Sequence, residues 1–171
     1  MKVVAYAKDP DAVGRGLEHF SLRKKLLSEI SKRLKYGKAI KLLEIGCGRG
    51  ILLAQLRKKF PKLELHGLNL NKYHGVRTRQ DFKINAAEKN IIFNRREELP
   101  YICFGDATRL PFGDSNFDII ISQVTFLHVK NKARAIGEVY RVLEPKGVGL
   151  IILGPYAIRR EKGNSMPIFF R

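Results

Sequence analysis

Three glycines alternate with Cys47 and Arg49 in Gly46-Cys47-Gly48-Arg49-Gly50, and a carboxylate, Glu44, stands two residues before the first of them. Glycines at this spacing let a ligand approach bare backbone N–H groups, and a helix beginning behind them adds its positive end. Glu44 sets the sign of what such a turn could hold. A carboxylate at the strand's end repels a pyrophosphate and holds an ammonium group. The dinucleotide fingerprint G-x-G-x-x-G would carry its third glycine at position 51, but Ile51 is there and the glycine comes one residue early, at Gly50. Spacing and charge therefore both speak against a pyridine-nucleotide enzyme. A tight strand–helix turn with no ligand is the simpler alternative, and Glu44 in register weighs against it.

Elements of the right kind flank this turn. Lys41 to Ile45 is short and mostly apolar, as a buried parallel strand should be. Ile51 to Lys59 reads as a helix with cations in its last turn, where they complement the dipole. Further strands are expected at Leu63–Asn69, Tyr101–Phe104, Phe117–Gln123 and Val148–Gly154. Glu64 and His66 alternate with Leu63 and Leu65 and are expected to face outward. A helix from a Ser21 cap to about Leu34 has the apolar stripe Leu22, Leu26, Leu27, Ile30 and Leu34. Another follows Asn131, with Ile136, Val139, Tyr140 and Leu143 on its buried side. Residues 72 to 98 are the least legible stretch, in which Lys72 through Asn90 should contain a helix interrupted at Gly75. Strands alternating with helices predict an α/β fold, a three-layer sandwich on a mainly parallel sheet of order 3-2-1-4-5.

The run Leu42-Leu43-Glu44-Ile45-Gly46-Cys47-Gly48-Arg49-Gly50 resembles the first motif of class I S-adenosylmethionine-dependent methyltransferases. Asp106-Ala107 followed by Leu110-Pro111-Phe112, then Phe117-Asp118, resembles later motifs of the small-molecule, ubiquinone-biosynthesis-like branch. The stretch from Glu138 through Arg141 to the Pro145-Lys146-Gly147 turn does so again. The resemblance covers about residues 38 to 154 and implies S-adenosyl-L-methionine as cofactor, with S-adenosyl-L-homocysteine as product. It implies that Glu44, Gly46, Cys47, Gly48 and Gly50 surround the methionine part, that Asn69 and Leu70 lie at the ribose, and that Asp106 and Ala107 meet the adenine. The family usually has an acid where Asn69 stands. Ser122 and Gln123 would lie at a strand's carboxyl end, over the reacting methyl. His128 is a candidate base, weighed against a purely structural histidine. No compulsory catalytic residue shows, because methyl displacement can proceed on positioning and desolvation. The Asn/Asp-Pro-Pro-Tyr motif of DNA and protein amide methylases is absent, which speaks against adenine-N6, cytosine-N4 or glutamine as acceptor. The alternative is a catalytically degenerate module of this family that binds RNA or a protein.

The chain of 171 residues is long enough for one core, with an N-terminal arm at 1–20, a ligand-binding domain at 21–154 and a short tail at 155–171. The arm is expected to fold over the ligand pocket. A net charge of +17 favours contact with a polyanion, chiefly RNA, or an acidic substrate, and is equally consistent with a generally basic surface. Arg23, Lys24 and Lys25 begin a helix, where cations oppose the dipole, and hint at an anion site. Cys47 and Cys103 form no metal spacing, and no metal is expected; their number suits a reducing cytoplasm. No apolar run approaches the ~20 residues that span a membrane. The fold implied by the resemblance continues beyond the fifth strand with more than the tail can supply. The edge at Val148–Leu153 is therefore expected to be open, covered either by Ile168-Phe169-Phe170 or, preferably, by a second copy or another chain, since Pro167 weakens so short a strand.

Overall fold

The computed structural model describes residues 16–17, 22–37, 39–71, 75–95 and 99–152, and the backbone of 167–170. Five parallel strands, β1 (Ile40–Ile45), β2 (Leu63–Asn69), β3 (Tyr101–Phe104), β4 (Phe117–Ser122) and β5 (Leu143–Ile152), lie in the order β3-β2-β1-β4-β5. β1 is buried except at Lys41, and β4 is buried throughout. Their sequences therefore read as near-continuous apolar runs, because helices or loops cover both faces. The register sets Leu42, Leu43 and Glu44 opposite Leu65, His66 and Gly67 on one side and Ile119, Ile120 and Ile121 on the other.

One face carries α1 (Arg23–Lys35), α2 (Ile51–Lys59) and α3 (Arg79–Ala87). Leu26 and Ile30 of α1, Leu53 and Leu56 of α2, and Phe82 and Ala86 of α3 pack there with Leu42, Leu65, Ile119 and Leu150. The opposite face carries α4 (Lys132–Val142), whose Ala135, Val139 and Val142 pack on Leu43, Ile45, Leu68, Ile120 and Ile151. The loop between β3 and β4 completes that layer through Ala107 and Leu110. Asn131 caps α4 as expected, its side chain accepting from the Arg134 N–H at 3.0 Å. Ser21 lies outside the described residues.

Three expectations are corrected. His66 does not face outward: it stacks on Tyr101 with centroids 5.1 Å apart and meets the edges of Phe112 and Phe117. Polar alternation marked its face as solvated, but the β3–β4 loop folds over that face. Pro145 and Gly147 do not form a turn before β5. Leu143 already pairs with Phe117 and Val148 with Ile119, so residues 144 to 147 bulge opposite Asp118 alone. A proline, with no N–H to donate, belongs in such a bulge. The edge of β5 is not open to a partner either. β6 (Pro167–Phe170) pairs with it antiparallel, Gly149 opposite Phe170 and Ile152 opposite Pro167.

Covering that edge within the chain has a measurable result. The amides of Gly149–Ile152 are expected to resist hydrogen exchange in a monomer at micromolar concentration. Deleting residues 167–171 should expose them and promote concentration-dependent association, read by light scattering. Unchanged protection after the deletion would contradict this pairing.

Candidate functional site

Glu44, Asn69, Asp118, Ser122 and Gln123 are the buried polar or charged side chains among the described residues. All but Asp118 lie at the carboxyl ends of β1, β2 and β4, where open α/β sheets bind ligands. Asp118 is at the other end, accepting from the Lys41 N–H at 3.0 Å and facing Arg33 at 3.7 Å. A groove of about 260 Å³ lined by Arg33, Asp118, Glu144, Pro145 and Lys146 also lies at that end, away from the glycine turn.

Glu44 is 4% exposed and its Oε2 has no hydrogen-bond partner among the described residues. Burial pushes its carboxyl well above the usual carboxylate range, because no neighbouring cation offsets the lost hydration. A buried oxygen left without a partner costs about 1–3 kcal/mol or more if charged, so the position is costly for the fold alone. It is the arrangement a cationic group would relieve.

The glycine turn is more occupied than its sequence implies. The N–H groups of Gly46 and Cys47 both donate to Leu68 O, at 2.6 and 3.1 Å, and that of Gly50 donates to Cys47 O at 2.8 Å. Asn69 takes the backbone of Gly48 on both sides of its Cα: Oδ1 accepts from the Gly48 N–H at 2.9 Å, and Nδ2 donates to Gly48 O at 3.2 Å and to Val76 O at 3.5 Å. The expected bare donors at 46, 47, 48 and 50 are thus already satisfied within the protein. α2 offers the remaining positive end, with no side-chain cap and no acid in its first turn. The Val76 N–H also donates to Gly48 O, at 2.7 Å, and Gly75 sits so close that a Cβ there would lie 2.0 Å from the same oxygen. From α3, Asn85 donates to Arg49 O at 3.0 Å and accepts from the Arg49 guanidinium, which also pairs with Glu88. Thr78 and Asp81 form a capping box that starts α3 and fixes this brace in place.

At the end of β4, Ser122 Oγ donates to Ile45 O at 2.9 Å, tying the two central strands together beside the turn. Gln123 Nε2 donates to Gly16 O at 3.2 Å, while the Leu17 N–H donates to Gln55 on α2. This part of the N-terminal arm is therefore strapped between β4 and α2. Thr125, in a 3₁₀ turn over Thr125–Leu127, packs on Gly46 so closely that a Cβ at Gly46 would lie 1.5 Å from its Oγ1. Only glycine suits a positive φ with this roof above it. His128 follows on the exposed side, its pKa lowered by partial burial and by Lys132.

The loop after β3 holds Asp106 and Ala107. Asp106 is exposed, and its Oδ1 accepts from the Thr108 N–H at 2.7 Å and hydroxyl at 2.9 Å in an Asx turn. Ala107 is buried and Leu70 is 55% exposed. Arg141 on α4 clamps the loop, donating to Leu110 O at 3.1 Å, Phe112 O at 2.9 Å and Asp114 at 2.7 Å. Glu138 holds the Arg141 fork and accepts from the Leu110 N–H at 2.7 Å.

The structure thus gathers Glu44, Gly46, Cys47, Gly48, Gly50, Asn69, Ser122 and Gln123 at the carboxyl ends of the three central strands. Asp106, Ala107 and His128 lie on the loops that follow β3 and β4. Sequence reasoning missed Thr125, Gly75, Asn85 and Gln55. Of their settings only the Thr78-x-x-Asp81 capping box carried a readable signal.

A family profile described as a methyltransferase domain matches residues 43–151. A malonyl-(acyl-carrier protein) O-methyltransferase of Priestia megaterium is 32% identical over 127 residues, covering 74% of this chain and 41% of the relative. A glycine/sarcosine/dimethylglycine N-methyltransferase of Actinopolyspora halophila is 32% identical over 132 residues, 77% of this chain and 21% of the relative. Among solved structures, the YcgJ protein of Bacillus subtilis superposes with a TM-score of 0.52 at 25% identity, over 74% of this chain and 50% of that one. The chain therefore spans half or less of the length of these relatives.

Glu44 supplies a pH test that needs no ligand. Its folded pKa is raised, so between the ordinary carboxyl value and the folded one the native state holds a proton that the unfolded chain has lost. Stability then falls as pH rises through that window. Glu44→Gln should melt higher than the wild type at about pH 7, with the difference closing towards about pH 4. A difference that does not change with pH would show that Glu44 is not held uncompensated.

Proposed function

We propose a ligand and a reaction for this site on one premise: the chain belongs to the class I S-adenosylmethionine-dependent methyltransferase family. The reading is transfer of a methyl group from S-adenosylmethionine to a nucleophile. The observation that carries it is Glu44, a buried carboxylate whose Oε2 has no partner among the described residues, beside a glycine turn that Thr125 covers at Gly46. In this reading Glu44 receives the ammonium of the methionine part. Gly46 leaves its Cβ space to Thr125, and the positive end of α2 receives the carboxylate of the methionine part. Asp106 keeps Oδ2 for the exocyclic amine of adenine, with the Ala107 backbone beside it; Arg141 and Glu138 hold that loop still.

S-adenosylmethionine supplies a methyl group on a sulfonium already activated for displacement. What the protein must add is placement and dryness. Ser122 locks β1 to β4 beneath the turn, and the Gln123–Gly16 and Gln55–Leu17 bonds fix the backbone at residues 16 and 17 to β4 and α2. No proton need pass through His128, whose lowered pKa keeps the imidazole neutral near pH 7 and able to accept one from an acidic acceptor.

Titration calorimetry with S-adenosylhomocysteine tests the reading. Binding is expected, with Glu44→Gln and Asp106→Ala each weakening it by about tenfold, the size of one charge-assisted hydrogen bond. Binding should also release protons as Glu44 ionises beneath the ammonium, so the observed heat should vary with the buffer's ionisation enthalpy. No binding, or variants indistinguishable from wild type, would overturn the assignment.

For the acceptor, the basic helix supports RNA. Arg23, Lys24, Lys32 and Lys35 of α1 are exposed, and no acid stands in its first turn. If phosphates dock there, log affinity for a short single-stranded RNA should fall with log salt by about 0.7 per phosphate contact. Affinity that does not change with salt would leave a small-molecule acceptor as the reading.

A further inference from the structure

The position that closes β2 is where a ribose-binding acid would stand, and here it is Asn69, 3% exposed. Both hydrogens of its amide and one lone pair of its oxygen are engaged within the protein. Oδ1 takes the Gly48 N–H, and Nδ2 serves Gly48 O and Val76 O. A side chain that holds the N–H and C=O of one residue needs an acceptor and a donor on the same head. An amide has both, and an ionised carboxylate has only acceptors. We infer that Asn69 does not read the ribose but is a positioning residue, holding the glycine turn through the N–H and C=O of Gly48.

The same geometry says what an acid would do there. The ionised carboxylate of an Asn69→Asp variant would keep the bond from Gly48 N–H and set negative charge against Gly48 O and Val76 O. Protonated, the same side chain would present a carbonyl and a hydroxyl in the places of Oδ1 and Nδ2 and restore the two bonds to Gly48, its single hydroxyl proton leaving out the longer contact to Val76 O. The clamp therefore predicts that Asn69→Asp is impaired at high pH and rescued by acid. A ribose contact predicts the reverse, because an ionised carboxylate accepts from hydroxyls better than an amide or a carboxylic acid does.

The charged and titratable groups on the elements around Asn69 are Lys41 and Glu44 on β1, Glu64 and His66 on β2, Cys47 and Arg49 in the turn, Tyr101 and Cys103 on β3, Arg77 before α3, and Arg79, Asp81, Lys83, Glu88 and Lys89 on or after it; His66, lowered by burial, titrates in both proteins. Burial raises both thiols, so they stay neutral in the window used, and Asp81 is held ionised by its capping bonds. Glu44 is raised by burial and titrates in both proteins, which is why each measurement is taken as a ratio to wild type.

The inference rests on the reading of the turn as the seat of S-adenosylhomocysteine, and the experiment separates the two. Wild type, Asn69→Asp and Asn69→Ser are compared at about pH 8 and about pH 5, by thermal melting and by S-adenosylhomocysteine titration. Asn69→Asp should bind about tenfold more weakly than wild type at the higher pH and within about threefold at the lower, with its melting deficit shrinking in parallel. Asn69→Ser, which cannot ionise, should show a deficit that does not change with pH. Binding by Asn69→Asp at or above wild-type strength at pH 8 overturns the inference, as do a deficit that acid does not reduce, failure of this variant to fold even at pH 5, or a matching pH trend in Asn69→Ser. Melting needs no ligand. A wild-type chain that binds no S-adenosylhomocysteine would overturn the methyltransferase reading, and the melting comparison alone would then decide the clamp.

Discussion

The N–H and C=O of Gly48 are both gripped, and the geometry of the ligand end depends on that grip. Asn69 closes β2 against them, and Val76 donates to the same carbonyl from the segment that leads into α3. A five-residue turn with three glycines would otherwise be the most entropically free part of the fold. The surrounding bonds convert it into a rigid seat, and the turn's own donors are consumed in doing so. The turn therefore offers a ligand shape and space, and the charge that selects the ligand is left to Glu44 and the start of α2. This division differs from a phosphate-binding loop, where the turn's free donors are themselves the recognition element.

Glu44 and Asn69 are buried to a similar degree, but their situations are opposite. Asn69 is satisfied in the protein alone, and so its burial stabilises. Glu44 has an orphan oxygen and a carboxyl pushed up by desolvation. Buried polar groups left without partners in a native fold need an explanation, and a missing cationic partner is the one this setting supports. Gln123 and Gln55 hold the backbone at Gly16 and Leu17 to the end of β4 and to α2.

The sheet and the centre of the site were legible because they depend on local sequence. The apolar runs of β1 and β4, the glycine spacing and Glu44 all act within a dozen residues. α3 was not legible: in Arg79–Ala87 only Phe82 and Ala86 are buried, so the helical stripe is two residues wide and its start signal is the capping box. The brace itself could not be read. It requires Gly75 to meet Gly48 and Asn85 to meet Arg49, contacts between segments that only the parallel β1–β2 register brings together. His66 and the Pro145–Gly147 bulge failed for a related reason. Alternation and turn composition report local preference, and in both places the packing of a distant segment decided the outcome.

The pairing of β6 with β5 also bears on the order in which the protein is made. β1 is the middle of the sheet, yet its partner β4 lies far along the chain, Leu42 meeting Ile119, and β5 gains its outer neighbour only once residues 167–170 exist. During synthesis β1, β2 and β3 can associate first, with the β4 side of β1 exposed. When β4 and β5 join, the apolar stretch Val148–Ile152 becomes the open margin until β6 folds back. The nascent chain therefore carries a sticky border first at one strand and then at another. Chaperone contact, where it occurs, should concentrate on those two borders in that sequence.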